Sequence, residues 1–247
     1  MKPLEKAQFI SNWIKDYVEK MPSKAQSLII GISGGIDSSV SSTLSAMTGI
    51  KTIVLSMPIK QKLSQHDLSI KHQEWLVKNF DNVEAHTLNL DKLFESFEST
   101  LSNFDSELGM ANSRARIRMT TLYQVAAANK GIVVGTGNKV EDFGVGFYTK
   151  YGDGGVDISP IADCNKSEVW EIGKSINILQ EIIEAAPTDG LWDDGRTDEG
   201  QLGLKYEELE EAMNNVNSIN REKYEKIRKM NLHKMEPIPV CKIPNQS

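Results

Sequence analysis

Four short apolar runs alternate with longer amphipathic stretches along the chain, and their order predicts an α/β fold. The runs are Leu28 to Ile32, Thr52 to Met57, Val83 to Leu88 and Ile132 to Thr136. Each has the length of a strand, and the stretches between them are long enough for a helix to join one strand to the next. This βαβ alternation indicates a parallel sheet with helices on both faces.

Helices are predicted over the segments 4–20, 38–47, 65–79, 91–104, 112–129, 167–176 and 205–230. The segment 187–203 follows neither the helical nor the strand period, and a loop of this length is uncommon unless it is functional or disordered. Neither a repeat nor a linker divides the sequence. We therefore expect residues 1–247 to form a single domain.

The first apolar run leads into a glycine-rich turn, Ser33-Gly34-Gly35-Ile36-Asp37-Ser38, at the carboxyl end of its strand. Ligands of parallel sheets bind at that edge, and the helix after such a turn offers free N–H groups to a phosphate, with the hydroxyls of Ser33, Ser38 and Ser39 as further donors. No lysine of the Walker type is present. An aspartate would repel phosphate unless a cation lay between them, so Asp37 is a predicted Mg²⁺ ligand. The alternative is an ordinary turn in which Ser33 or Asp37 caps the helix.

Composition limits the possible partners and the location. The net charge of −6 argues against a nucleic-acid partner, because binding to a phosphate backbone needs a basic surface. No apolar stretch is long enough for a membrane span and the first residues lack a signal-peptide core, so a cytoplasmic protein is expected. Cys164 and Cys241 fit neither a disulfide framework nor a zinc site. The compact cluster Arg114, Arg116 and Arg118 suits one small anion, or else a solvated helix face.

Two later segments carry further polar groups. Gly135 to Glu141 follows the fourth run, and Glu141 could give a second carboxylate to the cation at Asp37 or lie at a helix N-terminus, where the dipole favours it. Lys150 to Asp157 combines a lysine, three glycines and two aspartates. Such a loop either approaches a ligand closely or turns sharply.

The glycine turn resembles the Ser-Gly-Gly-x-Asp-Ser loop of the N-type ATP pyrophosphatases, which activate a carbonyl or carboxyl oxygen with AMP and release pyrophosphate. Within that superfamily the chain is similar to the ammonia-dependent NAD synthetases. The shared motifs are Ala115 to Met119, Thr136 with Glu141, Thr149 to Asp157 followed by Lys166, Pro187-Thr188 with Asp198, Glu199, Leu202 and Gly203, and the pair His233-Lys234. The resemblance implies a Rossmann-like sheet of the adenine nucleotide alpha hydrolase-like type.

The resemblance also implies roles for individual residues. The implied ATP-binding residues are Gly31, Ile32, Ser33, Gly34, Gly35, Ile36, Asp37, Ser38, Thr136, Lys166 and Thr188. The implied binding residues for nicotinate adenine dinucleotide (deamido-NAD) are Arg116, Lys150, Asp157, His233 and Lys234. Asp37 and Glu141 would bind Mg²⁺ and, with Lys166, carry the catalysis. In the family the dinucleotide pocket lies at a homodimer interface, so a homodimer is implied.

The chain departs from some family members in two places. It has Gly-Thr-Gly-Asn-Lys-Val-Glu at 135–141 where they have Gly-Thr-Asp-His-Ala-Ala-Glu, and the spacing from Glu141 to Lys150 is one residue longer. The role of Trp192, within the 187–203 loop, is left open between closing over the nucleotide and packing the loop.

The expected reaction is the amidation of deamido-NAD through an adenylated carboxylate, with ATP as co-substrate and Mg²⁺ as cofactor. Water must be excluded from the adenylate, which makes the 187–203 loop a predicted lid. Asp153 and Asp157 are candidates for deprotonating ammonium. Glutamine-dependent members carry a further hydrolase domain that the stretch before residue 28 is too short to hold, so free or delivered ammonia is the expected donor. The alternatives are another pyrophosphatase-loop enzyme, such as a tRNA thiolase or GMP synthetase, and a non-catalytic nucleotide-binding module.

Overall fold

A central sheet of parallel strands organises the computed structural model, which describes residues 1–60, 63–187 and 197–244, with the backbone alone over 63–66. The strands of this part of the chain are β1 (Ser27–Gly31), β2 (Lys51–Ser56), β3 (Val83–Thr87) and β4 (Gly131–Val133). They lie in the order β3-β2-β1-β4, all parallel. In the register, Leu28 of β1 is opposite Thr52 of β2 and Ile132 of β4. The predicted parallel α/β fold is confirmed.

Helices precede, connect and follow the strands. They are α1 (Pro3–Lys20), α2 (Ile36–Ala46), α3 (Leu63–Asn79), α4 (Asp91–Thr100), α5 (Glu107–Ala128), α6 (Lys166–Ser175), α7 (Gln180–Glu184), α8 (Asp198–Leu202), α9 (Tyr206–Asn214) and α10 (Arg221–Met235). A short 3₁₀ helix spans Ser102–Phe104, and a π-helical segment spans Lys139–Val145. No helix in the described ranges is both long and apolar enough to cross a membrane.

Alternation along β1 divides the core between the two faces of the sheet. Leu28 and Ile30 belong to a cluster with buried side chains of α1, α2 and α6, whereas Ile29 packs with Met119 and Leu122 of α5. Because successive side chains of a strand point to opposite faces, a strand that is apolar at every position must be covered on both sides. Helices therefore lie on both faces, as the sequence predicts.

A third apolar cluster lies beyond the carboxyl edge of the sheet. It joins Val140 and Val145 of the π-helical segment to Leu202, Tyr206, Leu209 and Tyr224 from the C-terminal helices. Tyr206 is 1% exposed. This cluster holds the C-terminal part of the chain against the same edge that carries the glycine turn.

The structure differs from the predicted elements mainly in the C-terminal third. The predicted helix 205–230 is two helices, because backbone N–H groups in the segment 215–220, between α9 and α10, donate to side chains of the same segment and not to the carbonyls of a continuing helix. Asn215 Oδ1 accepts a hydrogen bond from the N–H of Asn217 at 3.0 Å, and Ser218 Oγ accepts one from the N–H of Asn220 at 3.1 Å. Asn and Ser side chains often accept such local bonds from the backbone, and these bonds compete with the backbone hydrogen bonds of a helix. In addition, α7 was not predicted, and α8 lies within the segment predicted to be irregular.

Candidate active site

The glycine turn after β1 is held by hydrogen bonds between its own serines. Ser33 Oγ lies 3.0 Å from Ser38 Oγ, and Ser38 Oγ also accepts a bond from the Ser33 N–H at 3.2 Å. Gly34 has φ of 90°, a left-handed conformation that favours glycine. The N-cap residue of α2, Gly35, has no side chain to cap the helix, and its own N–H donates to Ser33 Oγ at 3.1 Å. The amide groups that follow Gly35, at the positive end of α2, are therefore the ones in position for an anion.

Two carboxylates and one ammonium meet beside this turn. Lys166 Nζ lies 2.5 Å from Asp37 Oδ2 and 2.9 Å from Glu141 Oε1. Asp37 is in the first turn of α2, Glu141 in the π-helical segment after β4, and Lys166 is the first residue of α6. The side chain of Lys166 is only 1% exposed. The structure thus brings together the three residues that the sequence predicts to be catalytic.

Asn138 fixes the relative position of the two carboxylates. Its Nδ2 donates to Asp37 Oδ1 at 3.0 Å, while its Oδ1 accepts from the N–H groups of Val140 and Glu141 at 3.0 and 3.1 Å. Asn138 is fully buried and belongs to the segment where the chain departs from some family members. Its side chain therefore links the Asp37 carboxylate of α2 to the segment that carries Glu141.

Burial and charge act in opposite directions on this cluster. Burial raises the pKa of Asp37 above its usual value, since it outweighs the attraction of the Lys166 ammonium. Burial acts in the same direction on Glu141, but Lys166 and the Tyr206 hydroxyl more than compensate and hold its pKa below the usual value. For Lys166, burial favours the neutral amine, yet the two carboxylates raise its pKa. Lys166 is consequently a cation over the whole physiological pH range.

Tyr206 is a functional candidate that the sequence analysis missed. Its hydroxyl lies 2.5 Å from Glu141 Oε1, to which it donates, and 3.2 Å from Asp198 Oδ2. Its ring lies 4.6 Å from Lys166 Nζ and packs edge-on against Trp170. No local pattern identifies a tyrosine at the start of a helix as a partner of a carboxylate 65 residues earlier.

A cleft opens next to the cluster at the carboxyl edge of the sheet. Its apolar wall comprises Gly31, Ile32, Met57, Met119, Leu122, Val134 and Val156. Its polar wall comprises Ser33, Asp37, Ser38, Arg118, Thr136, Glu141, Asp142, Asp153 and Asp198. An apolar wall beside a phosphate-type turn suits a purine base with its phosphates. Of the two candidates for deprotonating ammonium, Asp153 lines this cleft.

Asp142 is a second residue that the sequence analysis missed. Its carboxylate lies against Gly137, where an added Cβ would be only 2.2 Å from Asp142 Oδ2. Burial, together with the charges of Glu141, Asp153 and Asp37, raises the pKa of Asp142 to about 8. The glycine at position 137, one of the departures from other members, makes room for this carboxyl group.

Four of the predicted dinucleotide-binding residues form a second group at the end of α10. Arg116 Nε donates to the carbonyl of Lys150 at 3.3 Å, and Lys150 Nζ donates to the carbonyl of His233 at 3.2 Å. Lys234 Nζ donates to the carbonyl of Tyr148 at 2.8 Å, and the Tyr148 hydroxyl donates to the carbonyl of Lys234 at 2.7 Å. The group is rich in cationic side chains, which suits a phosphate or a carboxylate.

Other predicted site residues have different surroundings. Asp157 accepts from the N–H of Val133 at 2.7 Å and from the Tyr123 hydroxyl at 3.1 Å, so it ties its loop to β4. Ile36 is 3% exposed in the core, so only its backbone can reach a ligand. Ser39 is fully buried and donates to the carbonyl of Gly35, which removes it from the predicted hydroxyl donors.

Part of the predicted site and lid lies in residues 188–196, outside the described part of the chain. Thr188 and Trp192 belong to that segment, so their predicted roles stay predictions. The described residues on either side, Pro187 and Asp198, are joined by a 3.1 Å hydrogen bond from the Asp198 N–H to the Pro187 carbonyl.

The donor set fits a hard divalent cation. One oxygen of Asp37 and one of Glu141 face the same point, and the Lys166 ammonium lies at that point. No group of three or more His, Cys, Asp or Glu that could hold a metal occurs in the described ranges. Mg²⁺ is commonly held by one or two carboxylates, with substrate phosphates and water completing its six ligands. A pair of carboxylates beside a phosphate turn meets that requirement.

Comparison with known proteins decides the family. The model of the NAD synthase family matches residues 6–246. The chain belongs to the NAD synthase family. Among its curated relatives, the NH(3)-dependent NAD(+) synthetase of Carboxydothermus hydrogenoformans is 35% identical over 211 residues, which are 83% of each protein. The one of Mesoplasma florum is 36% identical over 236 residues, 94% of this chain and 91% of the relative.

Solved structures agree with this assignment. The NMN synthetase from Francisella tularensis has a TM-score of 0.90 and 31% identity, covering 98% of this chain and all of that one. The NH3-dependent NAD synthetase from Campylobacter jejuni has a TM-score of 0.79 and 22% identity over similar coverage, which shows a shared fold. The Rossmann-like fold and the resemblance drawn from the sequence are both confirmed.

Proposed function

We propose that this NAD synthase family member is an NH3-dependent NAD(+) synthetase, a ligase that amidates deamido-NAD with ammonia while ATP is split into AMP and pyrophosphate. The observation that carries the proposal is the Asp37, Glu141 and Lys166 cluster, which lies beside the positive end of α2 in a cleft with one apolar wall. Relatives that are 35% and 36% identical to this chain carry that name, and the matches cover most of their length.

The reaction would proceed in two displacements at the cleft. The nicotinate carboxylate attacks the α-phosphorus of ATP and pyrophosphate leaves, and ammonia then attacks the carbonyl carbon of the mixed anhydride, from which AMP leaves. The amide groups at the start of α2 would orient the departing pyrophosphate, and the Lys166 ammonium would stabilise its negative charge. Asp37 and Glu141 would hold Mg²⁺, which when bound neutralises phosphate charge. A carboxylate on the cleft wall, such as Asp153, accepts the proton lost from nitrogen.

Arg116, Lys150, His233 and Lys234 would bind the dinucleotide. Their mutual contacts support this role, because they gather cations and polar groups from α5, α10 and the loop that follows the π-helical segment.

We propose a homodimer in which this group lies near the interface. Exposed apolar side chains nearby, Leu108, Tyr123 and Tyr151, support such an interface. Light scattering of the purified protein would test it, and a monomer would exclude it. The cytoplasmic location stays a prediction.

A second candidate substrate is the mononucleotide of nicotinic acid. The observation that favours it is the greater likeness to the NMN synthetase of Francisella tularensis than to the Campylobacter enzyme, with TM-scores of 0.90 and 0.79. The chemistry at Asp37, Glu141 and Lys166 would be unchanged, since both substrates present the same nicotinate carboxylate. The difference would lie in whether an adenylate half is bound as well.

One assay distinguishes these possibilities. The protein is incubated with ATP, Mg²⁺ and either ammonium or glutamine, once with deamido-NAD and once with nicotinate mononucleotide, and the products are separated by chromatography. We expect NAD, AMP and pyrophosphate with ammonium and deamido-NAD. Preferred amidation of the mononucleotide would establish the second candidate. ADP as the product, or no amide with either substrate, would refute both. The tRNA thiolase and GMP synthetase alternatives are not favoured, because the family model covers residues 6–246.

A further inference from the structure

Lys166 lies at an unusual position for a buried cation. It is the first residue of α6, where the helix dipole repels a positive charge, and its side chain is 1% exposed. The rings of Tyr206 and Trp170 lie 4.6 and 5.9 Å from its Nζ. An ammonium at this position is stable only because the carboxylates of Asp37 and Glu141 neutralise it.

The ammonium occupies the point on which both carboxylates converge. Nζ is 2.5 Å from Asp37 Oδ2 and 2.9 Å from Glu141 Oε1, which are distances at which a cation is held by both oxygens at once. The second oxygen of Asp37 is engaged by Asn138 Nδ2. A divalent cation that uses the same two carboxylates would lie within a few ångströms of Nζ and would repel it strongly. The metal and the ammonium therefore compete for one position.

We propose that Lys166 is the resident cation of the metal site and that it yields this position to the metal only when a polyphosphate is present to receive its charge. The inference rests on the metal role of Asp37 and Glu141 in the proposed function. Before nucleotide arrives, the Lys166 ammonium offsets the repulsion between the two partly buried carboxylates. When the phosphates of ATP lie at the start of α2, the ammonium has a second anion within reach. Metal and nucleotide then bind with positive coupling, each raising the affinity for the other by the same factor.

The test measures Mn²⁺ binding without any reaction. The wild type and Lys166→Met, which keeps an unbranched side chain but removes the charge, are titrated with Mn²⁺ while free Mn²⁺ is followed by electron paramagnetic resonance. We expect Lys166→Met to bind one Mn²⁺ about tenfold or more tightly than the wild type in the absence of nucleotide. Lys166→Arg retains the charge and is expected to show no such gain. Lys139→Met is the matched control, because Lys139 pairs with the exposed Asp163 on the surface.

The same titration with an α,β-methylene analogue of ATP tests the coupling. The analogue is expected to increase the Mn²⁺ affinity of the wild type by about tenfold or more, and to increase that of Lys166→Met by a smaller factor. Adding Asp37→Asn to Lys166→Met should abolish the tight binding, which locates the metal at this carboxylate.

Three results would overturn the proposal. One is an equal or lower Mn²⁺ affinity in a folded Lys166→Met. Another is a wild type that binds Mn²⁺ as tightly without the analogue as with it, a measurement that needs no variant to fold. A wild type that binds no Mn²⁺ even with the analogue would remove the metal role from the proposed function as well. Failure to amidate deamido-NAD leaves all of these binding measurements unaffected, so the two hypotheses fail separately.

Discussion

Tyr206→Phe removes a single oxygen from the core and tests whether that oxygen supports Glu141, one of the two carboxylates proposed to bind Mg²⁺. The ring is 1% exposed and packs against Trp170, and phenylalanine fills the same volume. The lost hydroxyl donates to Glu141 Oε1 at 2.5 Å. Since the acceptor is a partly buried carboxylate with a lowered pKa, the bond belongs to the stronger, charge-assisted class.

The expected cost follows from that class. A hydrogen bond to a charged group contributes about 1.5 to 3 kcal/mol, against about 0.5 to 1.5 kcal/mol for one between neutral groups. In a chain of 247 residues, each kcal/mol lowers the melting temperature by about 2 to 4 °C, so the variant should melt roughly 3 to 12 °C below the wild type. Glu141 would also be free to turn away from the position it shares with Asp37, which should weaken the activation by Mg²⁺.

Tyr224→Phe is the matched control. Tyr224 is 3% exposed in the same apolar cluster, and its hydroxyl donates at 3.3 Å to the carbonyl of Gly144, with the Arg228 guanidinium as a second partner and no carboxylate as acceptor. Both variants are measured by urea denaturation, and the Mg²⁺ concentration for half-maximal AMP release is determined for each. We expect Tyr206→Phe to lose more stability and to need more Mg²⁺. If Tyr224→Phe loses as much stability, and neither variant shifts the Mg²⁺ requirement, then the Tyr206 hydroxyl has no special role at Glu141.

Three further variants test the turn, the metal ligand and a buried histidine. Asp37→Asn should lower pyrophosphate release by at least about 10²-fold with a folded circular dichroism spectrum, because it removes a hard ligand worth several kcal/mol in the transition state, and wild-type turnover would contradict this. Gly34→Ala should lower the free energy of unfolding by about 1 to 3 kcal/mol, because φ is 90° at this position. Gly35→Ala is the control, since φ is −86° there and an added Cβ would meet only Ser33 Oγ, at 3.4 Å. In the same urea denaturation assay it should lose less than half as much. Burial lowers the pKa of His72 to about 4, so the unfolded chain binds its proton first as the pH falls below about 6.5. Relative to His72→Asn, the wild type should therefore lose about 2 kcal/mol of unfolding free energy between pH 7 and pH 5. The comparison is made between variants because the raised pKa of Asp142 acts with the opposite sign, stabilising the fold as the pH falls through about 8, and equal slopes for the two proteins would contradict the prediction.

Sequence patterns predicted the sheet well because each strand carries its own information. Leu28 to Ile30 are apolar at every position, which only a strand covered on both faces satisfies, and the structure buries all three completely. The end of β4 was less predictable. Val134 lies beyond it, and its N–H still donates to the Ile29 carbonyl of β1 at 2.8 Å. The N–H of the next residue, Gly135, donates instead to the carbonyl of Ile158, a partner in a later segment that no local pattern reveals. The single-domain organisation stays a prediction.

The candidate site was predicted in its parts but not in its pairing. Asp37, Glu141 and Lys166 could each be identified from a motif, yet the motif for Lys166 implies contact with ATP, whereas the structure places its ammonium on the two carboxylates. Tyr206 and Asn138 were not identified, since they act only through contacts across 65 and 101 residues of sequence. A residue that positions another side chain leaves no local sequence pattern. It needs only to be close in space, and the number of residues between the two is not fixed.

The distribution of the site over the fold has a mechanical consequence. Asp37 is held by α2 at the end of β1 and Glu141 by the π-helical segment after β4, so the two neighbouring strands fix one side of the carboxylate pair. The other side is fixed by Tyr206, which reaches Glu141 from the C-terminal helices. Tyr206 also contacts Asp198, the first residue of α8, so a shift of Asp198 would act on Glu141 through one hydroxyl group. The carboxylate pair would therefore respond to the position of Asp198 without direct contact, by a path that Tyr206→Phe would interrupt.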